Sequence, residues 1–498
     1  MNDLPELGVG LVLWPALMPV LSEDDGAVDV VEIEPEFFWF ETGNADAPMR
    51  IDSGVVRQLS GLPQRKLVHG VASPLGGSLA PDPHRLGLMR EVVDTLQAPW
   101  ASEHLSFNAV PAPGGRIDSG FLLPPLQTIE GAQQAADNIR ATAQALQLPF
   151  AVENNVNYLR PVAGELSDGD FIAEVVERAD CGIVLDLHNL WVNEKNGRQP
   201  VMQALAALPL ERVWEIHLAG GTEHRGFLLD AHSGLVDEAL MRLSKEIVPA
   251  LPNLRAIIFE MLPAYLPRIG IAQVRRQLDA LHSLWALRRP HAPARPATAR
   301  SRHAIAAAAP SPVDWEQALS ALVSGPRLDN DASTGLAADP GVDLLRELAL
   351  NARAGQIATA ARLTLQALLI QGGEAAFQEL FESYAAAHPP QQFASTEALA
   401  FLDHVMRQES VLPDVAEVAG FECAVIRSAI HKDARAVEFR RDPVPLLEAL
   451  AERRTPPTAL TSGRFLVELE SGEVKAIHRR ATRNEDVQAL PVLKVRSG

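Results

Sequence analysis

Cysteine is scarce in this 498-residue sequence, which contains only Cys181 and Cys423. Two cysteines cannot build a disulfide framework or a thiolate zinc motif, so we expect two buried free thiols in a reducing compartment. Long apolar runs are also missing, because no stretch approaches the roughly 18 residues of a membrane span. The N-terminal residues M-N-D-L-P-E-L-G lack the basic and apolar regions of a signal peptide. We therefore expect a cytoplasmic protein that has no membrane partner.

Basic residues are in deficit relative to acidic ones. The chain has 44 Lys and Arg against 63 Asp and Glu, which gives a formal net charge of -19. Such a charge disfavours general binding to nucleic-acid phosphates, so we expect no nucleic-acid partner. The composition, 47% hydrophobic and 21% charged, is ordinary for a globular protein. At this length the chain can form two or more domains with sizeable cores.

The first part of the chain alternates between apolar strands and helical patterns. Eight apolar runs predict strands: Gly8–Trp14, Val28–Pro35, Lys66–Ala72, Trp100–Phe107, Phe150–Val156, Gly182–Asn189, Val213–Gly220 and Ala256–Leu262. Helical spacing is found in most of the gaps and after the last strand: His84–Leu96, Thr128–Leu146, Phe171–Arg178, Val201–Leu208, Gly234–Ile247 and Ile271–Leu287. Strands that alternate with helices form right-handed βαβ units in a parallel sheet. The pattern predicts a (β/α)8 TIM-type barrel over residues 1–287, with its active site at the C-terminal ends of the strands.

Polar side chains follow these apolar runs where the predicted strands end. In the stretch C-G-I-V-L-D-L-H-N, residues 181–189, the apolar run stops at Asp186 and His188, which an extended strand would point to one face. Asp230 and His232 repeat this Asp-x-His spacing just past the seventh strand. The other carboxylates and imidazoles near strand ends are His69, His104, Glu153, Glu215, His217, His224 and Glu260.

This concentration of carboxylates and imidazoles predicts a metal centre. Divalent metals bind both groups, and iron tolerates mixtures of the two. One ion cannot use so many ligands, so we expect more than one, with Glu153 and Glu260 as candidate bridges. Glu215 shares a face with His217 and is a candidate either for catalysis or for orienting that imidazole. Asp186 and His188 are the other candidates for catalytic roles.

The composition changes between Arg288 and Pro312. This stretch is rich in Ala, Pro and Arg and contains no acidic residue. Proline-rich segments of this kind are extended and exposed. We therefore expect an interdomain linker over residues 288–312.

Residues 313–498 show mainly helical spacing. The predicted helices are Val313–Val323, Val342–Ala354, Ile357–Ile370, Glu374–His388, Thr396–Glu409 and Val415–His431. Near the end, Arg464–Glu470 alternates as a strand does, with Val474–His478 as a hairpin partner across Ser471 and Gly472. This part is predicted to be a second, mainly α-helical domain with a small β appendage.

Six short motifs carry most of the polar residues of the predicted barrel: His69-Gly-Val-Ala-Ser73, Ser102-Glu-His104, Glu153-Asn154, Asp186-x-x-Asn189, Glu215-Ile-His-Leu-Ala-Gly220 and Asp230-x-His232. Together they resemble the motifs of the multinuclear non-haem iron-dependent oxidative enzymes, over roughly residues 7–285. The resemblance implies a (β/α)8 barrel with two or three irons per chain. It also implies that O2 is a co-substrate and that a residue, often cysteine, of a ribosomally made precursor peptide is oxidised.

The resemblance also implies a ligand set for each iron. Carried over position by position, there are three sets, of which two share their glutamates: His69, His104, Glu153 and Glu260; Glu153, Asp186, His217 and Glu260; and His188, Asp230 and His232. The chain departs from the family pattern in places. Many members have Asn where this chain has His188, and many have His where it has Gly221, for which His224 is a candidate replacement. The stretch Glu32-x-Glu34-Pro-Glu36 also differs from the usual pattern near the second strand.

The C-terminal part resembles the partner proteins that accompany these oxidases as separate chains. The resemblance rests on Phe377–Pro389, Ala398–Phe401, Leu412-Pro413 and Ala416–Arg427. Such partners bind the leader of the precursor and present its core to the irons. The resemblance thus implies an enzyme fused to its own partner, with residues 313–498 as a peptide-binding domain. The alternative is a helical domain that serves packing or dimerisation.

Two other functions are open for the barrel. One is a divalent-metal isomerase or phosphoester hydrolase on a xylose-isomerase-like barrel, which uses similar ligands with Mg, Mn or Zn. The other is an inactive barrel that only binds a peptide. The full set of candidate ligands argues against the second.

Overall fold

Eight parallel strands close into a barrel in the computed structural model, which describes residues 4–21, 26–44, 48–113, 115–290, 310–325, 334–480 and 488–490. The barrel strands are β1 (Gly8–Val12), β2 (Val30–Ile33), β3 (Arg65–Gly70), β4 (Ala101–His104), β5 (Phe150–Glu153), β6 (Gly182–Asp186), β7 (Val213–Ala219) and β8 (Ala256–Glu260). Each strand pairs with the next, and β8 pairs back to β1, where Phe259 lies opposite Leu11. The predicted (β/α)8 barrel is therefore confirmed.

The barrel interior is apolar along most of its length and polar where the strands end. One buried cluster takes side chains from every strand or its immediate neighbours: Leu7, Val12, Val30, Leu67, Trp100, Ala151, Val184, Trp214, Ala256 and Ile258. Side chains alternate between the two faces of a strand, so residues two apart point the same way. His69 comes two residues after Leu67, and Asp186 comes two residues after Val184. The strands thus place polar groups directly beyond the apolar filling.

Helices connect the strands. The longer ones in this part of the chain are Ser53–Ser60, Pro83–Leu96, Ile129–Leu146, Asp168–Ala179, Leu187–Lys195, Val201–Ala207, Glu238–Ile247 and Ile271–Trp285. Shorter helical turns are Pro15–Leu17, Met18–Leu21, Pro35–Phe38, Leu210–Arg212, Val248–Ala250, Pro263–Tyr265 and Leu266–Ile269. Side-chain caps begin several of them, as where the Thr128 hydroxyl accepts a hydrogen bond from the Gly131 backbone N–H.

Three hairpins extend from the loops. One joins Phe107–Ala112 to Gly115–Leu123 after β4, and another joins Thr222–His224 to Phe227–Leu229 after β7. The third pairs Trp39–Glu41 with Met49–Ile51 after β2. The sequence patterns did not predict these elements, because short strands outside the core lack a continuous apolar run.

The described chain divides into two compact units. The first contains the barrel together with residues 312–323 and 334–346, and the second contains the described residues of 40–50 and those from Glu347 onward. This differs from the predicted boundary, which assigned all residues after 312 to the helical domain. The physical reason is that helix Pro312–Ser324 buries Trp315 and Leu319 within the first unit. Most of the predicted linker, residues 291–309, lies outside the described residues.

The second unit is mainly helical and has its own hydrophobic core. Its helices and strands are Pro340–Ala360 (from Glu347), Arg362–Ala387, Ala394–Met406, Pro413–His431, Ala434–Arg441, Pro443–Ala451, Ser462–Glu470, Glu473–Arg480 and Gln488–Leu490. The strands form one antiparallel sheet in chain order. The predicted hairpin across Ser471 and Gly472 is confirmed, and both of these residues have positive φ, as its tight turn requires. Phe401, Phe421 and Val467 are among the side chains that fill the core.

Two expectations from composition can be compared with the described residues. Cys181 and Cys423 are both free and buried, as predicted. No helix among the described residues combines the length and apolar character needed to cross a membrane.

The contact between Gly182 and Trp214 offers a test of barrel packing. A Cβ at Gly182 would lie 2.4 Å from the Trp214 ring. Gly182→Ala should therefore destabilise the protein by about 1–3 kcal/mol, the usual cost of overpacking a core. The matched control is Gly87→Ala on helix Pro83–Leu96, where a Cβ has no neighbour within 4 Å. This control should be neutral or stabilising by up to about 1 kcal/mol. The midpoints of thermal unfolding measure the stability of both variants. Equal midpoints for Gly182→Ala and Gly87→Ala would contradict the packing account.

Candidate metal centre

Histidines and carboxylates from different strands converge at the C-terminal end of the barrel. Among the described residues, three groups of three bring one potential ligand atom per residue within 4.8 Å of one another: His69, His104 and Glu153; Glu153, Asp186 and His217; and Glu32, His217 and Glu260. Glu153 belongs to two of these groups, and so does His217. The first two groups fall within two of the ligand sets that the family resemblance implies.

Glu153 lies at the centre of this arrangement. Its Oε2 atom is 3.0 Å from Nε2 of His69 and 3.6 Å from Nε2 of His104. The same oxygen is 3.6 Å from Nδ1 of His217, which in turn is 3.4 Å from Oε1 of Glu260. One carboxylate thus faces three imidazoles that come from three other strands.

The outward-facing ring nitrogens of the first group are held by hydrogen bonds. Nδ1 of His69 lies 2.9 Å from the Ser102 hydroxyl, and Nδ1 of His104 donates to the Gly70 carbonyl at 3.1 Å. A carbonyl oxygen only accepts, so Nδ1 of His104 carries a proton and a neutral ring leaves Nε2 free to bind a metal. Such partners of a ligand fix the ring orientation and the tautomer.

Asn189 fixes the two carboxylates of the second group. Its backbone N–H donates to Oδ1 of Asp186 at 2.8 Å, and its side-chain amide donates to Oε1 of Glu153 at 3.2 Å. Each bond engages one oxygen and leaves the other facing the centre. Asn154 adds a further tie, since its side chain pairs with both the N–H and the C=O of Asp186.

The inward-facing atoms have no hydrogen-bond partner outside the cluster among the described residues. These buried atoms are Nε2 of His69, Oε2 of Glu153, Oδ2 of Asp186, Nδ1 of His217, Oδ1 of Asp230 and Oε2 of Glu260. Buried polar atoms are nearly always hydrogen-bonded in folded proteins, and an ion is one explanation where they are not. Because the atoms that lack an outside partner are nitrogen and carboxylate donors that face one another, the residues fit a metal centre.

The charges of the cluster also favour a bound cation. Burial, reinforced by the carboxylates of Glu153 and Glu260, raises the pKa of Asp186 well above its usual range. Burial alone would lower the pKa of His104, but the carboxylates of Glu153 and Glu103 outweigh it and raise this pKa to about 10. Without a cation, then, protons are drawn into the site to balance the carboxylates. A divalent ion would replace those protons.

A layer of acidic groups lies on the other side of His217. Nε2 of this ring is 3.2 Å from Glu32 and 3.6 Å from Glu215, and all three side chains are fully buried. Glu215 also accepts a hydrogen bond from the Trp100 indole at 2.9 Å. A carboxylate beside Nε2 favours a proton on that nitrogen and leaves Nδ1 for an ion. This geometry favours the orienting role for Glu215 over a direct catalytic one.

Glu32 and Glu34 are site residues that the sequence analysis did not include among the ligands. Glu32 lies on β2 with its side chain buried beside His217, and Glu34 comes directly after the end of that strand, before the turn Pro35–Phe38. Burial and the nearby carboxylate of Glu260 raise the pKa of Glu34 to about 7, while His232 and His104 oppose that rise. The alternation of Val30 and Glu32 on β2 would have revealed Glu32, had it been weighed as it was for Asp186.

The prediction that Asp186 and His188 lie on one strand face is wrong. Strand β6 ends at Asp186, and His188 lies on helix Leu187–Lys195. The reason is local: the Asp186 side chain accepts from the Asn189 N–H and caps the helix, so the chain turns at once. His188 is nevertheless buried near the site, with Nε2 3.6 Å from Asp230.

The third predicted set, with His188, Asp230 and His232, is more open than the other two. Oδ1 of Asp230 is 3.0 Å from Nε2 of His232, but the three residues do not form a group within 4.8 Å among the described residues. His232 has a φ of 45°, which is uncommon for a residue with a side chain. Its carbonyl accepts a hydrogen bond from the Leu262 N–H, which ties this loop to the end of β8.

The absence of a side chain at Gly221 leaves space for the His188 imidazole. A Cβ at Gly221 would lie 3.1 Å from Cε1 of His188, so a larger side chain there would crowd the imidazole. His224, the candidate replacement, belongs to the hairpin Thr222–His224 with Phe227–Leu229 and joins none of the three compact groups among the described residues. His188 itself therefore occupies space next to the position where many members have histidine.

A family model described as "RiPP precursor modification enzyme MbnB/TglH/ChrH" matches residues 8–267, where RiPP denotes a ribosomally synthesised and post-translationally modified peptide. The chain belongs to this family. The resemblance drawn from the six motifs is thus confirmed, and the matched region covers all eight barrel strands.

Curated relatives match part of the chain. A UPF0276 protein of Chromobacterium violaceum is 36% identical over 181 residues, which are 36% of this chain and 64% of that protein. A UPF0276 protein of Pseudomonas aeruginosa is 32% identical over 240 residues, covering 47% of this chain and 79% of that protein. The chain thus spans slightly less than two thirds of the Chromobacterium relative.

Solved structures with similar folds are distant in sequence. A sugar phosphate isomerase/epimerase from Parabacteroides distasonis is 11% identical, with a TM-score of 0.33, over 57% of this chain and 94% of that one. An L-ribulose 3-epimerase is also 11% identical, with a TM-score of 0.35, over 57% of this chain and 92% of that one.

The shared position of Glu153 leads to a prediction about metal content. Gln at this position keeps the shape of the side chain but replaces the charged carboxylate by an uncharged amide. This change weakens the binding of every ion that the carboxylate oxygen contacts. Glu153→Gln should therefore lower the metal content of the purified protein by more than one ion per chain. The control is Glu130→Gln, an exposed residue in the first turn of helix Ile129–Leu146, which should keep the full content. Elemental analysis decides; a full complement in Glu153→Gln would disprove the shared role.

Proposed function

We propose that this protein uses iron and O2 to oxidise a residue, with cysteine as the expected target, in a ribosomally made precursor peptide. The observation that carries the proposal is the inner oxygen of Glu153, which lies within 3.6 Å of three imidazole nitrogens and has no hydrogen-bond partner outside the candidate ligands among the described residues. An anion placed between two sets of imidazole and carboxylate donors supports two adjacent cations. Membership of the RiPP precursor family supports a peptide as the substrate class.

Iron is the metal that the donor set favours in this proposal. The candidate ligands are carboxylates and imidazoles, and neither cysteine takes part in the three compact groups. Mixed nitrogen and oxygen donors with positions left open suit non-haem iron. Two ions would use the groups that share Glu153, and a third would use His188, Asp230 and His232. When bound, iron would supply redox chemistry with O2 and a Lewis-acidic position for a substrate thiolate.

The chain's own residues enclose the site on one side and leave it accessible on the other. The side chains of His69 and His217 are at most 2% exposed, whereas that of His104 is 17% exposed and that of His232 is 27% exposed. A peptide side chain would enter from the side of His104 and His232. The buried side would exclude water and hold the imidazoles in place. Asp186, with one oxygen tied to Asn189, would present its other oxygen to the second ion.

The second unit is proposed to recognise the leader of the precursor. It has its own core and a four-stranded sheet, so it can hold a peptide segment independently of the chemistry. Leader binding would raise the effective concentration of the core peptide at the barrel without adding a ligand. This unit would then do within one chain what separate partner proteins do in the systems it resembles.

The first test separates chemistry from binding. Asp186→Asn keeps the oxygen that caps helix Leu187–Lys195 but removes the charge that faces the second ion. With a cysteine-containing peptide encoded next to this gene, the variant should bind the peptide normally and lose turnover by at least about 10-fold to 100-fold, the loss that changes in a ligand's supporting residues already cause. Calorimetry measures peptide binding, and mass spectrometry measures the product. O2 uptake is followed as a separate readout. The control is Asp279→Asn, an exposed residue of helix Ile271–Trp285. If Asp186→Asn oxidised the peptide at the wild-type rate, the assigned site would be wrong.

The second test concerns leader recognition. In the full-length protein, a peptide that contains only the leader should slow hydrogen exchange in residues 347–480 and leave the barrel strands unchanged. A peptide that contains only the core should slow hydrogen exchange in the barrel strands and leave residues 347–480 unchanged. Protection by the leader that is confined to the barrel would contradict the role proposed for the second unit.

A further inference from the structure

After the predicted linker, the chain contributes again to the barrel unit. We use the name return segment for residues 312–323 and 334–346, which group with the barrel. Glu316 of this segment is fully buried, and its Oε2 accepts hydrogen bonds from both the backbone N–H and the hydroxyl of Ser78, which follows β3. The Gln317 amide donates to the carbonyl of Pro111, in the hairpin after β4, at 3.0 Å. The return segment therefore contacts loops at the end of the barrel that carries the candidate metal centre.

A second set of contacts lies at the turn of Asp339, Pro340 and Gly341. Oδ2 of Asp339 accepts a hydrogen bond from the Arg160 backbone N–H at 2.8 Å, and Oδ1 accepts from the Gly341 N–H at 2.8 Å. Gly341 is buried against the segment that follows β5: a Cβ there would lie 2.3 Å from the carbonyl oxygen of Tyr158. Only glycine allows this close approach of two backbones.

Tyr158 connects this turn to the third set of candidate ligands. Its hydroxyl accepts a hydrogen bond from the Asp230 backbone N–H at 3.0 Å, and its ring meets Phe227 edge-on at a centroid distance of 6.2 Å. The Asp230 carboxylate in turn lies 3.0 Å from His232 and 3.6 Å from His188. A continuous series of contacts thus runs from Gly341 through Tyr158 to Asp230.

We propose that the return segment positions the loop that carries Asp230 and His232, so that the third ligand set is complete only when this segment is seated on the barrel. Asp339, Gly341 and Tyr158 are positioning residues in this account, because they act through Asp230. The loop needs such support: His232 adopts an uncommon backbone conformation, and Asp230 and His232 are more exposed than the ligands of the compact groups. The metal role of the loop rests on the proposed function, but its positioning does not.

The reason that small changes at the turn should matter is the precision that a metal site requires. Ligands must be held within about 0.5 Å of their working geometry. A Cβ at 2.3 Å from a backbone oxygen cannot be relieved by turning a side chain, so the backbone of residues 158–160 or 339–341 must move. That movement would displace the Tyr158 hydroxyl and weaken its hydrogen bond with the Asp230 N–H. The two compact groups that share Glu153 would keep their own supports, Ser102, Gly70 and Asn189.

The test uses the full-length protein with Gly341→Ala, and Gly335→Ala as its matched control. Gly335 lies on the short helix Thr334–Ala337 of the same segment, and a Cβ there has no neighbour within 4 Å. In metal-free protein, the Asp230 amide and its neighbours in residues 227–232 should exchange at least tenfold faster in Gly341→Ala than in Gly335→Ala. On anaerobic titration with Fe(II), Gly341→Ala should bind one ion per chain fewer, or bind the last ion at least tenfold more weakly.

Tyr158→Phe is the second variant, and it covers the case in which Gly341→Ala fails to fold. It removes only the hydroxyl that accepts from Asp230, so the Asp230 amide should again exchange faster while the amides of β3 and β5 do not. Unchanged exchange of residues 227–232 and unchanged Fe(II) binding in either folded variant would overturn the inference and leave the proposed function untouched. If wild-type protein bound no Fe(II), the proposed function would fail, while the exchange comparison would still decide the positioning role.

Discussion

The buried carboxylate of Glu153 is the constraint on which the rest of the site depends. It faces His69, His104 and His217 at 3.0–3.6 Å, and its own side chain is almost completely buried. Buried charges are costly unless they are paired, and here further carboxylates crowd the same space. Burial and neighbouring carboxylates raise the pKa of Asp186, and nearby carboxylates raise that of His104, so the cluster is balanced either by protons or by cations.

The barrel provides this arrangement through the alternation of side chains along parallel strands. An apolar layer fills the interior, and the next inward position on several strands carries a donor. Neighbouring groups fix four of the donors from behind: Ser102 and Gly70 hold the imidazoles of His69 and His104, and Asn189 holds the carboxylates of Asp186 and Glu153. Because one oxygen or nitrogen of each of these four ligands is used in this way, the remaining atom points to the centre. The scaffold thus determines both which atoms are available and where they meet.

Strand periodicity and family motifs predicted most of the barrel and the identity of its polar residues, but not how each is placed. His188 was assigned to a strand, because period-two alternation cannot reveal that Asp186 caps a helix. Glu32 was not assigned as a ligand, although the same alternation places it inside the barrel. The return segment was assigned to the second domain, since an apolar helix face such as that of Trp315 does not show which surface will cover it. Such outcomes depend on tertiary contacts between residues distant in sequence.

The central claim is that two cations share Glu153 in the functional protein. Anomalous diffraction at the iron edge, from crystals of protein loaded with Fe(II) under anaerobic conditions, tests it most directly. The account predicts two strong peaks on either side of the Glu153 carboxylate. One should lie between it and the rings of His69 and His104, and the other between it, Asp186 and His217. A single peak, or the absence of two peaks that both contact Glu153, would contradict the account.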